Sequence, residues 1–120
     1  MTTKEQATDA LVSVALRKAL SGARVEVKLA LPDSGAELQP EVEVTFPQRT
    51  SSRQRNAALL LLAAQVELHT PAQEHWLVES EVLDDGLTGR VHLLLLGDGG
   101  PRPTRDEAER GLQILHKALR

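Results

Sequence analysis

The nine residues from Gln48 to Asn56 read Gln-Arg-Thr-Ser-Ser-Arg-Gln-Arg-Asn, gathering three arginines and several hydroxyls just ahead of a long apolar run. At a helix start the unbonded backbone N–H groups and the helix dipole favour an anion. Arg49, Ser51, Ser52, Arg53 and Arg55 therefore form the candidate anion-binding set. The plainer reading of the same residues is an N-cap followed by a solvated arginine face, because the glycines of a phosphate loop are missing. Three arginines offer about three phosphate contacts, so nucleic-acid binding through them is expected to be weak and steeply salt-dependent. Aromatic residues make up 2% of the chain, which argues against base stacking.

Other chemistry-bearing residues are scattered. Gly97-Asp98-Gly99-Gly100 has the composition of a phosphate-cradling turn, but Pro101 and Pro103 remove two of the amides it would need, leaving a connector. His69, His75, His92 and His116 fall on different predicted elements, and none makes the short-spacing pair of zinc motifs. There is no cysteine, which excludes a disulfide framework, a thiolate zinc site and a cysteine nucleophile together. Ser80 shares its strand face with no histidine and reads as a core serine bonded to backbone. No catalytic residue, metal or cofactor is predicted. An enzyme would need a site assembled from residues too far apart to recognise.

These residues must be positioned by seven elements. Thr3 with Gln6, Ser51 with Gln54 and Thr104 with Glu107 fit the capping box, in which the first and fourth side chains satisfy each other's backbone N–H groups. They predict helices over about Lys4 to Ser21, Ser52 to Leu68 and Arg105 to Leu119. The first shows apolar residues over a wide arc, broken by a narrow polar line at Asp9, Ser13 and Arg17. The second carries eight consecutive apolar residues, Ala57 to Ala64, which wrap the whole helix and predict a central position. The third places Ala108, Leu112, Leu115 and Leu119 on one stripe.

Strict alternation predicts strands over Arg24 to Leu31 and Glu41 to Phe46, each with one buried and one wet face. A second hairpin turns at Asp85-Gly86. Its register sets Glu81 opposite Arg90 and Glu79 opposite His92 on one face, and Val78 opposite Leu93 and Trp76 opposite Leu95 on the other. The same register leaves Leu77, Leu94 and Leu96 on the wet face. Either the third helix folds back over these leucines or another protein, an identical subunit included, covers them.

The order α-β-β-α-β-β-α, without strand-helix-strand alternation, predicts an α+β fold: a largely antiparallel four-stranded sheet with helices packed on it, as a single domain of 120 residues. Net charge is −3, yet residues 67–100 hold seven acids against one base, Arg90. With no basic leader and no apolar run long enough for a bilayer, the expected setting is cytoplasmic and no membrane partner is expected. The function expected from these features is a non-catalytic protein-interaction module acting as a homodimer through Leu77, Leu94 and Leu96. A weak anion or nucleic-acid binder using the arginine segment is the alternative.

Overall fold

The computed structural model describes residues 3–30, 39–83, 85–95 and 105–120, with side chains described from Leu11 onward except at Ala30 and Arg105. The elements follow in the predicted order: α1 (Thr3–Ala19), β1 (Arg24–Ala30), β2 (Gln39–Thr45), α2 (Ser52–Leu68), β3 (Trp76–Val82), β4 (Thr88–Leu95) and α3 (Arg105–Ala118). The strands form one antiparallel sheet of order β1-β2-β4-β3, so β2 and β4 are central and β1 and β3 are the edges. The fold is α+β, as the alternation of hairpins and helices predicts.

Side chains alternate across a sheet, and the registers fix which share a face. Val27, Val42, Val44, Val91, Leu93, Val78 and Trp76 fall on one face and join Leu16, Leu59, Leu62, Val66 and Leu115 of the helices in a single core. α2 lies over β3 and β4, α3 over β1 and β2, and α1 packs against α2. All three helices thus belong to one side of the sheet. Strand pairing in the second hairpin follows the predicted register residue for residue.

The turn of that hairpin holds its register by a side chain. Leu83 N–H donates to the Thr88 carbonyl, and the Asp85 carboxylate accepts from the backbone N–H of Leu87 and Thr88 and from the Thr88 hydroxyl. Gly86 follows at φ +72°, a conformation that favours glycine.

Several details depart from the alternation and helix patterns. α2 buries Ala58, Leu59, Leu62, Gln65 and Val66 but leaves Ala57, Leu60 and Ala64 exposed, with Leu60 at 69%. A helix in a two-layer fold has a sheet beneath it and a helix on each flank, so its fourth side faces out whatever residues it carries. α1 exposes Leu11 (73%) and Val14 for a related reason, since it rests on α2 rather than on the sheet. In α3 the buried residues are Ala108, Gly111, Ile114, Leu115 and Ala118, with Leu112 and Leu119 only partly covered. The helix turns this way because Gly111 lets it approach β2: a Cβ there would lie 2.6 Å from Pro40 Cγ. Ser80, expected in the core, is exposed on the edge strand β3.

Candidate interaction surface

The face of the sheet opposite the helices carries the charged positions of all four strands. One row runs Lys28, Glu41, His92, Glu79 and the next runs Glu26, Glu43, Arg90, Glu81, in the order β1, β2, β4, β3. Lys28 Nζ bonds diagonally to Glu43 at 3.0 Å, and Arg90 stands between Glu81 at 3.5 Å and Glu41 at 4.0 Å. The hydrogen bond to Glu43 holds the Lys28 ammonium above its ordinary pKa.

Glu41 is the odd member of this face. Alternation assigns it to the wet side, and it is there, but it is only 2% exposed among its neighbours. Its Oε2 has no hydrogen-bond partner. Burial raises its pKa above the ordinary glutamate value, against the opposing pull of Arg90 and Lys28. The sequence signals the residue's face but not its burial, which comes from a central strand flanked on both sides by long side chains.

Leu77 and Leu94 face each other across β3 and β4 at the end of this charged surface. Leu77 is 41% exposed and Leu94 partly so. α3 does not cover them. It packs on the other side of the sheet, where Gly111 meets Pro40 and the Trp76 ring, and Arg110 binds Glu74 at 3.0 Å beside the Glu74–Trp76 Nε1 hydrogen bond of 2.8 Å. Of the two covers left open by the sequence, the described residues of α3 therefore do not supply one. Leu96 lies outside the described residues, as do Gly97 to Gly100 and Thr104.

The arginine segment is placed differently from the surface above. Ser51 is the N-cap of α2: its hydroxyl accepts from Gln54 N–H, and the Gln54 side chain accepts from Ser51 N–H, both at 3.1 Å. Two of the backbone N–H groups at this helix start, those of Ser51 and Gln54, thus already have partners. Arg55 turns away and donates through NH1 to the Gly86 carbonyl, tying α2 to the hairpin turn. Arg49, Ser52 and Arg53 are exposed. A cleft of about 340 Å³ opens nearby between the end of α1 and the start of α2, walled by Phe46, Pro47, Thr50 and Gln54 with Lys18 as its charged residue, and the three arginines are not in its lining.

Pattern reading missed the exposed apolar side chains of the helix layer, Leu11, Val14 and Leu60. The available signal was the all-round apolar run of α2, which holds more apolar surface than one four-stranded sheet and two neighbouring helices can cover. Among the described residues no group of three or more His, Asp or Glu could hold a metal ion, and no helix is long and apolar enough to cross a membrane. No family model matches the chain, and no curated protein or solved structure matches it.

Proposed function

We propose that the chain is a non-catalytic protein-interaction module, acting in the cytoplasm as a homodimer, whose working surface is the open face of the sheet. The observation that carries this reading is the one-sided helix layer: all three helices pack on one face, and Leu77 and Leu94 stand on the other without cover from any described helix. Apolar side chains grouped beside a charged field suit a protein partner, a second copy or another chain, better than a small molecule. The charged rows give such a partner a fixed register, since Arg90 and Lys28 are already held by carboxylates.

Light scattering on a sizing column tests the first part. The expected mass is about twice the 13.1 kDa of one chain; a monomer overturns the homodimer. Leu94→Glu tests the second part. On an uncovered face it is expected to fold with a stability within about 0.5 kcal/mol of wild type. A variant that unfolds would mean that the chain covers its own leucines.

A further inference from the structure

The geometry points to the free edge of β1 as the place where the second copy of this chain docks, extending the two sheets into one continuous eight-stranded antiparallel sheet. The inference rests on the homodimer reading above and moves the meeting of the two chains from the open face to this edge, leaving the open face to another protein.

Sheet order leaves β1 with β2 on one side and, among the described residues, no strand on the other. Its seven residues, Arg24-Val-Glu-Val-Lys-Leu-Ala30, pair with β2 without a break in register, and none is proline or glycine. The edge is therefore regular, and among the described residues no strand pairs with its outer backbone groups. Val25, on the helix side of this edge, is 38% exposed.

A two-fold dimer pairs a strand with itself in antiparallel sense, and parity restricts the choices. If the axis passes between two residues, charged positions of one copy meet apolar positions of the other, and the helix layers fall on opposite faces. The axis must therefore pass through a residue. Centred on Glu26, two glutamates meet, and Arg24 faces Lys28. Centred on Lys28, two lysines meet. Centred on Val27, Glu26 of each copy faces Lys28 of the other, and Val25 faces Leu29 on the helix side. Centred on Val25, Arg24 would also face Glu26, but only three of the seven residues would then pair within the strand; Val27, the middle residue, is the centre that pairs all seven and opposes unlike charges. Lys28 has three donors, so it can keep Glu43 and still meet Glu26 of the second copy.

The other edge does not offer this. β3 carries Glu79 and Glu81 and no cation, so pairing it with itself brings no opposite charge from the strand. Pairing β1 with β3 of another copy sets the two glutamates, two residues apart, against the alternating charges of β1. The contact would also be head-to-tail, giving open assemblies rather than dimers.

The test uses the full chain with Glu26→Lys and Lys28→Glu as single variants, each checked for folding by circular dichroism. Either one alone turns both cross-axis pairs into like-charge pairs. Each is expected to weaken the dimer at least about tenfold, seen as monomer by light scattering at concentrations where wild type is dimeric. Mixed in equal amounts, the two variants restore opposite charges at both positions, so a mixed dimer is expected where neither forms its own. If Lys28→Glu does not fold, the loss of the dimer in Glu26→Lys alone carries the test. Singles that dimerise like wild type, or folded singles whose mixture stays monomeric, overturn the β1 edge. If Leu94→Glu then splits the wild-type dimer, the homodimer stands and its interface is the open face. A monomeric wild type overturns both.

Discussion

Glu41 shows how much of a single residue's behaviour lies outside its own letter. Its place on the charged face follows from alternation with Val42 and Val44, yet its raised pKa follows from burial between β1 and β4, strands far away in sequence whose charges Lys28 and Arg90 pull the other way. A carboxyl whose folded pKa exceeds the unfolded value near 4.5 holds its proton more tightly when folded. Its contribution to stability is present below about that pH and is lost as pH rises through the folded value. Glu41→Gln removes this slope. The variant is expected to match wild type at pH 4 and to exceed it at pH 7, as read by urea midpoints across that range. A variant less stable than wild type at pH 7 would show that the attraction of Arg90 outweighs burial. Asp85 has the opposite sign: the hydrogen bonds from Thr88 and Leu87 hold its carboxyl below the ordinary value, so it stabilises the turn until pH falls through that depressed value.

At the scale of elements, caps and turns were legible because they are local. Ser51 and Gln54 sit three apart and bond to each other's backbone, and α2 spans Ser52–Leu68 as that box predicts. The facing of each helix was not legible, because it depends on what packs against it. The eight-residue apolar run of α2 suggested burial all round, but Leu62 is fully buried while Leu60, two residues away, points out. Gly111 makes the same point in α3, where a residue unfavourable in a helix fixes the helix against Pro40. Gly111→Ala gains about 1 kcal/mol of helix propensity, but the added methyl meets a stiff proline ring, and overpacking costs about 1–3 kcal/mol. The expected result is a net loss of up to about 2 kcal/mol in chemical denaturation. A stabilised variant would mean that α3 can shift away from β2 at no cost.

The molecule is a plate, with Cα extents of 42 × 40 × 18 Å, and among the described residues the helices lie on one side of the sheet and none on the other. Such a shape places apolar residues outside on both faces, since Leu11 and Leu60 cannot reach the core from the helix layer and Leu77 cannot reach it from the open face. If two copies associate, unfolding depends on concentration. The thermal midpoint is expected to rise by about 2–4 °C for each tenfold increase in protein, the unfolding entropy of two chains setting the scale. A midpoint independent of concentration would place the unfolding transition in a lone chain.

The sequence by itself determined the elements, their order and the register of the second hairpin, because periodicity, capping boxes and the Asp85-Gly86 turn act over a few residues. It also separated the two faces of each strand. The tertiary structure decided that all three helices share one side, that Leu77 and Leu94 lie beyond the reach of α3, and that Arg55 serves the Gly86 turn. It also made β1 an edge rather than a central strand. Those outcomes depend on which elements become neighbours, and long-range packing is not written in the spacing of any one segment.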